Sequence, residues 1–223
     1  MVQMIIVSAP RRDEREMSVR SAILKLTIAA SLALALATGL GACSRRPTDV
    51  EEPGSFTAAN SSDCLPAITL IDQHGHDVTL ASLKGRPVLI DFIYTTCPGP
   101  CPLMTSRMAA VAKLLGPKLG NQVIFVSITI DPEHDRAPEL EKYARERGAD
   151  EAGWLFLTGT PTQIDRVLAL YHLQRMRTPD GTVNHAAASF LLGPDGHQLR
   201  QYQPLEVKAS AVVADIERAL GRS

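Results

Sequence analysis

Cys97 and Cys101 stand four positions apart in "YTTCPGPCPLM" (Tyr94 to Met104), with three prolines around them. Two thiols at this spacing serve one of two chemistries. They oxidise to a disulfide, whose α-carbons lie roughly 4.4–6.8 Å apart, or they close as thiolates on one metal ion at about 2.3 Å. With Cys101 in the first turn of a helix, the pair converges on one face as i and i+4 neighbours do, and both chemistries stay open. A helix amino terminus also lowers thiol pKa through its unpaired N–H groups and dipole. Thiol–disulfide catalysts usually place two residues between their cysteines; three stand here, a tilt toward metal. A purely structural disulfide would close so short a loop that it removes little chain entropy.

His185, in "VNHAAASF", lies 84 residues after Cys101, between a turn and a strand. Alone it carries little weight. With two thiolates it would complete a soft ligand set, which favours Cu(I), while the Irving–Williams order favours Cu(II) among divalent ions. Asp131 and Asp135, in "DPEHDRAPE", sit four apart at the carboxyl end of an expected strand. Asp135 suits a helix cap; the other reading is an acidic feature near the metal, or one that meets a partner. Carboxylates are hard ligands and poor primary ones for Cu(I). His74 and His76 flank a turn glycine and read as a solvated hairpin tip rather than a second metal site. His134, His172 and His197 fall in the acidic motif, after a helix and in a turn. Cys64 is left over, either without a role or as an accessory ligand or exchange partner. No arginine cluster points to peroxidase chemistry.

The elements that must position these residues follow from hydrophobic patterning. Ala67 to Leu80 reads as a hairpin about Gly75. Arg86 to Tyr94 and Gln122 to Ile130 are apolar runs of the kind buried on both faces of a sheet. Between them Pro102 to Leu115 predicts a helix with a stripe of Leu103, Met104, Met108, Val111, Leu114 and Leu115, stopped by Gly116 and Pro117. A helix over Ala137 to Arg147, a strand over Trp154 to Gly159 and a helix over Pro161 to Tyr171 come next. A turn at Thr178 to Gly181, a hairpin over Ala187 to Gln203 and a helix over Val207 to Leu220 close the chain. This order implies an α/β domain of three layers, α/β/α, with an amino-terminal β-hairpin extension. It matches a thioredoxin-like fold, in which a cysteine pair lies where the first central strand meets its helix and ligands sit beyond the carboxyl ends of the strands. There the loop before the strand near residue 190 passes beside the cysteines. A redox thioredoxin has a cis-proline in that loop; this chain has no proline between Pro179 and Pro194, and offers His185.

The amino terminus reads differently. Arg20 and Lys25 precede the apolar run Leu26 to Leu40, which ends in "GAC". That is the pattern of a secretory signal, and it is short for a membrane span of about twenty residues. "LGAC" resembles a bacterial lipoprotein cleavage box, which implies lipidation of Cys43 after removal of residues 1–42; Met17 is a plausible true start. An uncleaved anchor helix is the alternative. Residues 43–63 are polar and aperiodic, a tether, and 64–223 form the domain, working outside the cytoplasmic membrane. Of 23 basic and 24 acidic residues, five and three precede Cys43, which leaves a net charge of −3 after it. Such mild acidity and few aromatics give no footprint for nucleic acid.

Taken together, "FIYTTCPGPCPLM", "VSITIDPEHDRAPEL", "GWLFLTG" and "VNHAAASFLLGPDG" resemble the Sco (SenC) family of copper chaperones for cytochrome c oxidase assembly, from about Pro66 to Leu220. The resemblance implies copper ligands at Cys97, Cys101 and His185, a redox-active Cys97–Cys101 pair, and the family's acidic motif at Asp131 and Asp135. It assigns nothing to Cys64. It implies a lipid-anchored periplasmic chaperone carrying one copper, as Cu(I), Cu(II) or both. Its partner would be the copper-bearing subunit of cytochrome c oxidase, with other periplasmic copper carriers or thioredoxin-like reductants besides. A thiol–disulfide reductase acting on that subunit, or a copper or redox sensor, are the other readings.

Overall fold

The computed structural model describes residues 64–221 except 180 and 204. The expected leader, tether and Cys43 lie outside the described residues. A five-stranded sheet forms the centre, in the order β5-β4-β3-β8-β9. Its middle strands, β3 (Val88–Ile93) and β4 (Ile124–Thr129), are buried at every position, as two covered faces require. They run parallel, Val88 opposite Ile124 and Ile93 opposite Thr129. β5 (Trp154–Leu157) continues the parallel set. β8 (Ser189–Leu192) joins β3 antiparallel, with Val88 opposite Leu192, and β9 (Gln198–Tyr202) closes that side.

Helices cover both faces. On one, α1 (Pro100–Leu115) packs on α4 (Ala209–Leu220). It also meets α2 (Ala137–Glu146) through a 3.0 Å hydrogen bond between the Thr105 and Tyr143 hydroxyls. On the other face, Tyr171, just after α3 (Pro161–Leu170), packs against Phe92 and Phe190 with ring centroids 5.2 and 4.8 Å away. The result is the three-layer, thioredoxin-like arrangement. The amino-terminal extension is the hairpin of β1 (Thr69–Ile71) and β2 (Asp77–Thr79). Ile71 and Thr158 exchange 2.8 Å backbone hydrogen bonds, which tie it to the end of β5. Its turn is organised by Asp72, whose carboxylate accepts from the His74 and His76 amides.

Two details differ from the patterning. The buried stripe of α1 is Met104, Met108, Val111 and Leu115, whereas Leu103 and Leu114 are 49% and 60% exposed. At 3.6 residues per turn those two leucines fall one step beside the stripe. The chain also forms a further hairpin, β6 (Met176–Arg177) with β7 (Val183–Asn184), around the expected turn. Strands of two residues are too short to leave a period in the sequence. Among the described residues no helix is long and apolar enough to cross a membrane.

Candidate metal centre

β3 ends at Ile93, and the chain turns back over its end, the Cys97 amide donating to the Tyr94 carbonyl at 3.2 Å. Pro100 opens α1, its fixed φ suited to a first helical position. Cys101 therefore sits in the first turn, as the spacing requires. Both cysteines are thiols and both are buried, but unequally: Cys97 is 8% exposed and Cys101 0%. Cys97 lines a cavity with Tyr94, Pro98, Gly99, Pro100, Val183 and His185, while Cys101 lies beneath it in hydrogen-bonding contact with Cys97.

His185 follows β7 directly and faces that cavity, half-buried. Its Nδ1 is buried and has no hydrogen-bond partner. The Tyr94 ring stands edge-on to the imidazole at 6.4 Å and its hydroxyl reaches Cys97, so this tyrosine borders both the Cys97 sulfur and the ring. Cys97 and Cys101 are thus in contact, and His185 lines the cavity that Cys97 lines. Among the described residues no three His, Cys, Asp or Glu side chains are already gathered as a metal cluster. Closure of His185 onto the sulfurs would therefore require the rim to move.

Burial sets the protonation of the site. It pushes the Cys101 thiol up, with the Cys97 hydrogen bond adding and the Tyr94 backbone opposing. The expected lowering by the helix terminus does not prevail at Cys101: Pro100 and Pro102 remove two of the first-turn N–H groups, and the sulfur is out of water. Burial and the neighbouring Cys97 push Tyr94 up to about 12. Burial pushes His185 down, partly offset by the Ala186 backbone, which keeps the imidazole neutral and a competent ligand.

The acidic residues are internal. Asp135 does not cap α2, which begins at Ala137 with Glu139 accepting from the Arg136 amide at 3.1 Å. Its wholly buried carboxylate instead accepts from the Thr95 amide (3.0 Å), the Thr95 hydroxyl (2.5 Å) and the Thr129 hydroxyl (2.6 Å). Asp135 thereby fixes the segment that leads into Cys97. Asp131 is 2% exposed and pairs with Arg177. Both carboxylates are thus buried and engaged within the chain. Cys64 is buried too, its amide donating to the Gly196 carbonyl and its carbonyl accepting from Tyr171. Gly196 lies in the β8–β9 turn, at the amino end of β3, roughly 17 Å of strand from the cysteine pair. Cys64 is therefore no accessory ligand or exchange partner of that pair. His134 is about half exposed and contacts Asp135 at 3.2 Å; His76 is largely exposed beside Asp72. Sequence patterning did not single out Tyr94, Thr95, Arg175 or Arg177. Tyr94 and Thr95 could have been suspected from their places beside the cysteines, but nothing local marks the arginines.

A family model described as SCO1/SenC matches residues 57–221. The SCO1 protein homolog of Bacillus subtilis (strain 168) is 34% identical over 156 residues, which span 68% of this chain and 80% of that protein. Among solved structures, Bradyrhizobium japonicum ScoI with copper bound superposes with a TM-score of 0.60 at 30% identity, over 68% of this chain and 96% of that one. The structure of BsSco, described as having a disulfide switch and as a member of the Sco family of cytochrome c oxidase assembly proteins, gives a TM-score of 0.64 at 31% identity. It covers 75% of this chain and 99% of its own.

Proposed function

This chain belongs to the SCO1/SenC family, and from that membership we propose that it carries one copper ion on Cys97, Cys101 and His185 for assembly of the binuclear copper centre of cytochrome c oxidase. The observation that carries the reading is the cavity itself. The Cys97 thiol lines it with Cys101 in contact behind, and an imidazole with a buried, unbonded nitrogen stands at its side. That donor set is soft and suits copper, as Cu(I) or Cu(II). The ion enters past Cys97, which reaches the cavity, and then meets Cys101 behind it. Binding displaces the Cys101 proton, so affinity falls as pH drops. Three protein ligands leave a flank where a thiolate of the copper-bearing oxidase subunit can bind before one of this chain's ligands leaves. Oxidation of the pair to a disulfide releases two electrons and two protons and removes both sulfur ligands, which couples carriage to redox state. Lipidation of Cys43 would hold the domain at the periplasmic side of a bacterial membrane.

A second reading is favoured by the unequal burial of the cysteines. The Cys97 thiolate attacks a disulfide of the oxidase subunit, and Cys101 resolves the mixed disulfide, two thiols becoming one disulfide as the partner gains two thiols. This reaction does not need His185. Titration of the reduced full-length chain with Cu(I) separates the readings. Wild type is expected to bind one equivalent, and Cys97→Ser and His185→Ala to bind far more weakly. Unchanged binding in both variants removes the site, while loss of copper binding with reductase activity intact in His185→Ala favours the second reading.

A further inference from the structure

The hairpin that carries His185 is short. Its strands pair Met176 with Asn184 and Arg177 with Val183, and the Thr178 amide and hydroxyl close its turn on the Thr182 carbonyl. An isolated two-stranded ribbon is marginal at best in water. Yet the hairpin must stay beside the cysteine cavity if His185 is to close onto the sulfurs.

Two guanidinium groups supply the hold. Arg175, just before β6, donates through Nη1 and Nη2 to the two Glu133 carboxylate oxygens at 2.8 and 3.1 Å. Its Nε donates to Asp165 of α3 at 2.7 Å, and Nη1 also reaches the Ile130 carbonyl at 3.1 Å. Arg177, inside β6, donates to the buried Asp131 carboxylate, and its other Nη reaches Gly181 across the turn at 3.2 Å. Asp131 and Glu133 belong to the same short loop after β4 as Asp135, which holds Thr95 in front of Cys97. One acidic loop thus grips both the cysteine segment and the histidine hairpin. Val183 lies on both sides of this arrangement: it lines the charged cavity with Glu133, Asp165, Arg175 and Arg177, and the cysteine cavity with Cys97 and His185.

We propose that Arg175 and Arg177 are positioning residues for the copper site, clamping the β6–β7 hairpin to the acidic loop so that His185 stays at the cavity that Cys97 lines, within reach of closing onto the sulfurs. The proposal rests on His185 being a copper ligand. The acidic motif then acts as a spacer between the sulfur and nitrogen ligands rather than as a ligand or a partner surface. Arg177 is the more informative of the two, because it is 45% exposed while its partner Asp131 is buried.

The test uses the reduced full-length chain and four variants: Arg177→Ala, Arg177→Lys, His185→Ala and the Arg177→Ala/His185→Ala double variant. Cu(I) affinity is measured by competition with a chromophoric chelator. In the metal-free protein, hydrogen exchange is followed at the Thr178 and Gly181 amides that close the hairpin. Arg177→Ala should weaken Cu(I) binding by about 10–100-fold, the range seen when groups supporting a metal ligand are removed. Arg177→Lys, which keeps the charge without the fork, should recover part of it. In the His185→Ala background, loss of Arg177 should cost nothing further, because it acts through the histidine. Exchange at Thr178 and Gly181 should quicken in Arg177→Ala. An equal loss of affinity in both backgrounds, or unchanged exchange, overturns the clamp. If Arg177→Ala fails to fold because Asp131 is left unpaired, Asp131→Asn/Arg177→Gln removes both charges and is held to the same outcomes. Weak copper binding in His185→Ala beside full binding in Arg177→Ala defeats the clamp alone. Full binding in His185→Ala defeats the ligand assignment and the clamp with it.

Discussion

Asp91 lies on β3 between residues committed to the core, and no polar function at the surface explains it. It is wholly buried, opposite Ser127 on one side and Ser189 on the other, and neither carboxyl oxygen has a hydrogen-bond partner. Burial pushes its pKa up to about 7 despite the nearby Ser127 hydroxyl. The sign for stability follows. Between pH about 4 and 7 the unfolded chain releases this proton while the folded chain keeps it. Stability therefore declines as pH rises through that window and levels off above it, by a total on the order of 4 kcal/mol. Asp91→Asn should remove the decline and be the more stable protein at pH 8, read from urea midpoints across pH 4 to 8. An unchanged slope in the variant would mean that Asp91 does not titrate in this window. At the same scale burial sets the two cysteines apart: one sulfur reaches the cavity, and the other is sealed from water, which raises its pKa. That division could not be read from their spacing, which is symmetric.

Among the elements, the loop between β4 and α2 has the largest effect for its size. Asp135 ties it to Thr95 and Thr129, and the Asp135 carbonyl accepts from the Thr158 hydroxyl at 2.7 Å. Asp135→Ala leaves the buried Thr129 hydroxyl and the part-buried Thr95 hydroxyl and amide without their charged acceptor. Hydrogen bonds to a charged group contribute about 1.5–3 kcal/mol each; with partial rescue by water, a net loss of about 3 kcal/mol is expected in denaturant unfolding. A loss below about 1 kcal/mol would show that the cysteine segment is held by something else. The helices were legible because one buried face imposes a period on them, and the central strands because two covered faces make a continuous apolar run. β3 and β4 are apolar runs flanked by polar residues, and α1 repeats every three to four positions from Met104 to Leu115. The β6–β7 hairpin and the true task of Asp135 were not legible, since both depend on hydrogen bonds to residues more than 35 positions away in sequence.

Across the whole molecule, the proposed copper site would link binding to folding. An ion that binds the native state alone stabilises it by RT ln(1 + [L]/Kd), about 2.7 kcal/mol at a hundredfold excess over Kd. For a domain of this size that is a rise of roughly 5–10 °C in melting temperature. The rise is expected for the reduced protein and should vanish once Cys97 and Cys101 are oxidised, which calorimetry of both forms with and without copper decides. A similar rise in the oxidised form would place the ion elsewhere. By itself the sequence determined the layer order, the two central strands, the helix that starts at the cysteine pair, and the family motifs at Cys97, Cys101, Asp131, Asp135 and His185. These are local quantities, fixed by side-chain type and by periods of two and 3.6. Only the tertiary structure decided that Cys101 is sealed beneath Cys97, that Tyr94 touches both Cys97 and His185, that Cys64 lies at the far end of the sheet, and that one acidic loop bonds both the segment before Cys97 and the β6–β7 hairpin. The long-range ones among these depend on segments that the pairing of β3 with β4 and β8 brings together, and a one-dimensional pattern carries no record of which distant chain will fill the space beside it.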